Sequence, residues 1–118
     1  MALYTKKLIM TTFQEMLAEM PFDKITVSAL VKRAGVSPNT FYYHYQDVYA
    51  LLDDWFQKQV DALVPAGEPI EWKPVTKNIL RECRAHSKTI YHVFDSLSRD
   101  RLGALFENFL HSAVQDAE

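Results

Sequence analysis

Positions 37–44 gather Ser37, Pro38, Asn39, Thr40, Tyr42, Tyr43 and His44. These side chains offer hydrogen bonds and small apolar contacts; they do not form a nucleophile with its base. An asparagine amide can pair with adenine through two bonds, and a threonine methyl can touch the methyl of thymine. Tyrosine hydroxyls and an imidazole N–H can donate to phosphate oxygens without a full charge. The chemistry implied is recognition of a nucleic acid. The competing reading is a packed aromatic helix, TFYYHY, with no surface role. Aromatics stand at 41, 42, 43 and 45, and four in five positions cannot all share one narrow helical face. Some of them must face outward.

Two short helices are needed to position this set. Thr26 is a good N-cap for the first. Val27, Leu30, Val31 and Ala34 give that helix an apolar side, and Lys32 and Arg33 suit the negative end of its dipole. Gly35 is placed as the left-handed residue that ends it. After Val36, Ser37 is the next N-cap, and Pro38 fits the first helical position. The second helix then spans about 38–45, with Phe41 and Tyr45 facing inward together. Two helices joined by a glycine turn form a helix-turn-helix. The N-terminal amides of the helix begun by Thr26 can also hold a phosphate.

The remaining elements support this pair. Tyr4 to Glu19 has helical spacing of Leu8, Ile9, Thr12, Phe13, Met16, Leu17 and Met20. Pro21 ends that helix, and Phe22 is expected to fold back as an apolar plug. Asp47 caps a fourth helix, about 48–64, with a broad apolar face that includes Leu51, Leu52, Trp55, Phe56, Val60 and Leu63. Pro65 to Pro74 contains three prolines and a glycine and reads as a linker. Three further helical patterns follow. The first runs about 75–86 with Val75, Ile79, Leu80 and Cys83 on its apolar side. The next opens at Ser87 or Lys88, and the last is capped by Ser98 and carries Leu102, Leu105, Phe106, Phe109, Leu110 and Val114. No strand-like alternation of useful length occurs, so the chain is expected to be all-α.

A chain of 118 residues, 48% hydrophobic and 24% charged, is an ordinary globular composition. No run of about 18 apolar residues is present, and the N-terminus lacks the long apolar region of a signal peptide. A lone cysteine, Cys83, fits a reducing cytoplasm. Net charge is −2, but it is uneven. Residues 1–46 carry five basic and three acidic groups, and residues 47–118 carry eight and twelve. Such asymmetry lets one face meet phosphate while the other stays soluble.

The stretch PFDKITVSALVKRAGVSPNTFYYHYQD resembles the N-terminal domain of the TetR family of bacterial transcription regulators. The likeness is carried by Phe22-Asp23, Thr26-Val27, Ala34-Gly35-Val36-Ser37 and Thr40-Phe41-Tyr42-Tyr43-His44-Tyr45. It covers about residues 6–60. The wording PFDKIT and TFYYHY is most similar to a branch that includes activator-like regulators of dihydroxyacetone kinase operons. The resemblance implies a homodimer on a palindromic double-stranded DNA operator, with Thr26, Ser37, Pro38, Asn39, Thr40, Tyr42, Tyr43 and His44 as the contacting positions. It implies a three-helix helix-turn-helix domain over 1–47, then a connecting helix and a helical effector-binding and dimerisation domain over 48–118. An effector, small molecule or protein, would act by moving the fourth helix and so the spacing of the two recognition helices.

Two departures stand out. The family usually has a lysine just after the cap of the fourth helix, gripping phosphate; here the residue is Val48. Family members also usually run well beyond 118 residues, so the effector domain is expected to be either cut short here or reduced, with dimerisation achieved differently. The resemblance leaves open a different class of function, a helical protein-interaction module that has lost DNA binding.

Trp55, Phe56, Tyr91, Phe94 and Phe106, with Trp72, are candidate walls of an effector pocket, since such pockets are mainly apolar and aromatic. The same residues serve equally as core. Cys83, His86 and His92 are too few and too loosely spaced for a metal site, and a buried thiol is the expectation for Cys83. No phosphate-cradling glycine loop or nucleophile elbow occurs. No cofactor, metal or enzymatic activity is expected.

Overall fold

Ile9, Phe13 and Leu17 lie on one side of the first helix and are fully buried. That stripe is the axis on which the molecule is built. The computed structural model describes residues 2–63, 71–97 and 99–117, and of residues 2, 108, 109 and 112–117 only the backbone. Seven helices occur among the described residues, and no strand. They are α1 (Ala2–Glu19), α2 (Val27–Ala34), α3 (Pro38–His44), α4 (Val48–Leu63), α5 (Trp72–Ala85), α6 (Ser87–Phe94) and α7 (Arg99–Ala117). A single 3-10 turn, Phe22–Lys24, separates α1 from α2.

The helix spacing in α1 predicts its core face closely. Ile9, Thr12, Phe13, Met16 and Leu17 are buried, and Met10 joins them. Thr12 is tolerated there because its hydroxyl donates to the Leu8 carbonyl at 2.8 Å, which leaves no unpaired polar group in the core. Phe22 does fold back: it is buried and meets the Phe13 ring edge-on at 6.2 Å.

Local capping sets the ends of the next helices. The Thr26 hydroxyl accepts from Ala29 N at 3.1 Å, and the Ser37 hydroxyl accepts from Thr40 N at 3.2 Å. Gly35 has φ +75°, and its N–H donates to Val31 O at 2.9 Å. The Val36 N–H donates to the same carbonyl at 3.0 Å. A left-handed glycine thus closes α2 and turns the chain sharply into α3. Asp47 caps α4 by accepting from Ala50 N at 2.9 Å.

One core gathers α1, the 3-10 turn, α2, α3 and the first half of α4. Its buried members include Ile25, Leu30, Val31, Phe41, Tyr45, Leu51, Leu52 and Trp55. Val93 of α6 belongs to the same cluster, with Phe94 and Leu97 packed against it. A smaller cluster joins Val60 of α4 to Val75 of α5, with Phe56 and Ile79 around it. On α7, Leu105 is buried, Arg101 lies over the Tyr49 ring at 4.3 Å and Phe106 stacks on Phe94 at 6.3 Å.

The stretch from Glu71 onward differs from the sequence expectation. The proline and glycine content reads as a linker through Pro74, yet α5 begins at Trp72 and includes Pro74. A proline in the first helical turn costs no hydrogen bond, because those N–H groups have no partner within the helix. The rest of that linker and the Ser98 cap lie outside the described residues, as do the side chains of Phe109 and Val114. Cys83 is exposed rather than buried. The apolar side of α5 is only partly covered: Val75 is buried, while Leu80 stands 62% exposed.

Two stability outcomes follow from this packing. Phe41→Ala removes a fully buried ring and is expected to lower unfolding free energy by about 3–5 kcal/mol, measured by urea denaturation. Gly35→Ala meets no atom within 4 Å of the new Cβ, so its cost is conformational alone. A loss of about 1–2 kcal/mol is expected from the left-handed backbone, and Gly35→Asn should lose less.

Candidate nucleic-acid interface

α3 is only seven residues long, too short to be stable alone. Three contacts hold it. Phe41 and Tyr45 plug its inner side into the core. The Tyr45 hydroxyl donates to Asp54 Oδ2 on α4 at 2.6 Å. His44 Nε2 lies 3.1 Å from the Thr5 hydroxyl on α1. The helix is therefore fixed to both of its long neighbours at its C-terminal end.

This arrangement leaves the opposite side bare. Ser37, Pro38 and Asn39 are exposed, and so are Tyr42 (55%) and Tyr43 (77%). Thr40 is half-buried, with its hydroxyl 3.0 Å from that of Ser37. Thr26 is exposed at the start of α2. Seven of the eight sequence-selected positions, Ser37 to His44, thus belong to α3 and its cap, while Thr26 caps α2. His44 departs from the outward orientation expected of it: it is half-buried and engaged with Thr5. The aromatic surplus divides as the geometry requires, with Phe41 and Tyr45 inside and Tyr42 and Tyr43 outside.

The electrostatics of this region are more favourable than the net charge implies. No carboxylate occurs from Lys24 through Gln46. Asp47, the next acid, has an oxygen engaged in capping α4. Glu15 and Glu19 of α1 are answered by Arg33, which lies 3.5 Å from Glu15 and forms a two-pronged pair with Glu19. The Arg33 hydrogen bonds hold the Glu19 carboxyl below the usual carboxylate range. A helix surface approaching phosphate then has little to repel it. This carboxylate-free run was legible in the sequence, but the charge count over residues 1–46 concealed it by averaging in the acids of α1.

Val48 occupies the position where the resemblance leads one to expect a lysine. It is half-buried against the main core. A cationic head at this site would have to leave an apolar contact to reach solvent.

The effector-pocket candidates are scattered among several environments. Trp55 is in the main core, and Phe56 touches both clusters. Phe94 and Phe106 stack on each other, although Phe106 remains 54% exposed. Tyr91 is 64% exposed and Trp72 48%. Of the histidines, His92 meets the Leu17 carbonyl at 2.8 Å, while His86 pairs with Glu82 on the surface.

A short helix pair with a left-handed glycine turn, a buried inner seam and a bare polar-aromatic outer side defines a helix-turn-helix protein. Residues 9–54 match the family model described as bacterial regulatory proteins, tetR family, which supports a DNA-binding transcription regulator of that family. No curated protein and no solved structure matches the chain.

Burial and the hydrogen bond to Asp54 push the Tyr45 hydroxyl well above the usual tyrosine range. In the unfolded chain a tyrosine ionises near pH ~10. Above that pH the unfolded state binds fewer protons than the folded one, so the stability contributed by Tyr45 falls as pH rises. Tyr45→Phe keeps the ring and loses this dependence. The stability gap between wild type and Tyr45→Phe is expected to narrow above pH ~10, read from urea midpoints across an alkaline series.

Proposed function

We propose that this protein is a homodimeric transcription regulator that binds a palindromic operator. In this reading α3 lies in the major groove, with Asn39, Thr40, Tyr42 and Tyr43 toward bases and phosphates. Thr26, Ser37 and Pro38 frame its entry, and His44 holds its far end. The single observation that carries the reading is the two-sided character of α3. Phe41 and Tyr45 are buried, while Asn39, Tyr42 and Tyr43 are exposed within a run of sequence that carries no carboxylate. A major groove admits one helix of this width, and its edges carry the pattern that an amide can read.

The proposal extends to control. Residues 1–47 act as the DNA-reading unit, and residues 48–118 contribute the connecting helix and an effector-binding and pairing region. Exposed Leu80, Phe106 and Leu110 on α5 and α7 support a pairing role for these helices. An effector held near Phe56, Phe94 and Phe106 would bear on α4, which carries Asp54 and so the Tyr45 bond to α3. Two half-sites on one face of the duplex must be met together, so a small change in α4 would alter affinity. The branch resemblance, to regulators of dihydroxyacetone kinase operons, makes genes of that metabolism a first choice for the target. A cytoplasmic location fits this role, and no helix among the described residues is long and apolar enough to cross a membrane.

A mobility-shift assay on the DNA upstream of its own coding region tests the reading. A salt-sensitive, sequence-selective shift is expected from the folded protein. Asn39→Ala should weaken specific binding by about 1–3 kcal/mol, roughly 5- to 150-fold, and relax base choice at one position. Binding of all sequences alike, or of none, by a protein with a normal helical spectrum would overturn it.

A further inference from the structure

We propose that the first two turns of α1 form a second phosphate-binding element, carried by Lys6 and Lys7. This rests on the reading of α2 and α3 as a DNA-binding surface. It assigns a role to a part of α1 that precedes the family match at residue 9.

Three observations converge on it. The first is position. The Thr5 hydroxyl meets His44 Nε2 at 3.1 Å, which joins the start of α1 to the last residue of α3. Beside that joint the Lys6 ammonium lies 5.6 Å from the centroid of the Tyr45 ring. Lys7 is exposed on the adjoining face. Lys6 therefore flanks the C-terminal end of the recognition helix, and Lys7 lies one position farther round α1. A helix in the major groove has a phosphate backbone on either side, and the hydroxyl cap Ser37 belongs to its other end.

The second observation is charge. Arg33, the cation nearest in sequence to α3, is paired with Glu15 and Glu19. Among the described residues, neither Lys6 nor Lys7 is ion-paired. Their charge is available to a polyanion in a way that the charge of Arg33 is not. The Tyr45 face holds the Lys6 ammonium without neutralising it, since a cation over an aromatic ring keeps its full charge.

The third observation is the occupant of position 48. Val48 packs on the core at the start of α4, so the start of α4 presents an apolar side chain where a cation would grip the backbone. On α1, Lys6 lies by Tyr45, three residues before Val48 in the sequence. The phosphate contact is moved from one helix to another, and His44 takes the part of a positioning residue that keeps α1 against α3.

The test measures the salt dependence of binding by fluorescence anisotropy on the full chain, from about 50 to 200 mM salt. Two labelled duplexes are used, the upstream region and a mixed-sequence duplex of equal length. Variants are Lys6→Gln, Lys7→Gln, the double substitution, Lys6→Arg, and Lys77→Gln on α5 as the control. Each glutamine substitution in α1 is expected to flatten the slope of log K against log salt by about 0.9, on both duplexes. The affinity loss across that salt range then shrinks by ~3.5-fold per lysine removed. Lys6→Arg should restore the slope, and Lys77→Gln should leave it unchanged. Thermal unfolding of each variant separates binding from folding, and exposed Lys7 serves if Lys6→Gln is unstable. Wild-type binding with an unchanged slope in Lys7→Gln and the double variant would overturn the inference while leaving the regulator reading intact. An equal change in Lys77→Gln would overturn it as a general field effect. Failure of the wild type to bind either duplex would overturn both.

Discussion

A helix of seven residues cannot hold its own shape in water, because the cost of nucleating it exceeds what so few hydrogen bonds return. α3 exists because Phe41 and Tyr45 are buried beneath it and because its last residues are bonded to α1 and α4. Much of the remaining architecture serves this constraint. The long, mostly apolar seam of α1 supplies the floor, α4 supplies the back wall and Phe22 fills the gap where the chain reverses. Burying one side this firmly frees the other. Asn39, Tyr42 and Tyr43 stay exposed, although the Tyr42 ring still meets Phe41 edge-on at 5.4 Å.

The same constraint shapes the charges. A chain with a small net negative charge is an unlikely partner for a polyanion if charge is averaged over the molecule. Averaging is the wrong operation here, because screening confines a surface charge to about 10 Å at ordinary salt. What a phosphate meets is the local surface, and that surface has no carboxylate between Lys24 and Gln46. Of the acids near in sequence, Asp47 caps a helix, Glu15 and Glu19 meet Arg33, and exposed Asp23 accepts from the Ser96 hydroxyl at 3.4 Å. The Arg33 pairing is exposed, so it adds little to stability. Its consequence is to quiet two negative charges on the flank of the reading unit.

α6 gives the C-terminal half a direct connection to α1, independent of the path through α4. Val93 is buried in the same core as Phe41, the His92 ring meets the Leu17 carbonyl at 2.8 Å, and the Ser96 hydroxyl approaches Asp23 at 3.4 Å. Exposed apolar residues occur at the start of α1, at Leu3 and Tyr4, and on α5 and α7, at Trp72, Leu80, Phe106 and Leu110.

Short-range physics made much of this protein legible in its sequence. Thr26, Ser37 and Asp47 cap helices because their oxygens reach amides two or three residues on. Gly35 closes α2 because only a residue without a Cβ takes φ +75° at no cost. The apolar stripes of α1 and α4 follow from 3.6-residue periodicity, and the surplus of aromatics on α3 forced some of them outward whatever the fold. These determinants act within one helical turn, so no knowledge of the remaining chain is needed. Other features depend on how whole helices are rotated and set against one another. Nothing local to His44 names Thr5 as its partner, nothing local to Arg33 names Glu19, and nothing near Val93 places it in the core of a helix eighty residues earlier in the sequence. Cys83 and Leu80 fall on an apolar stripe yet stay exposed, because a stripe shows which face can be buried and only the presence of a neighbour decides whether it is.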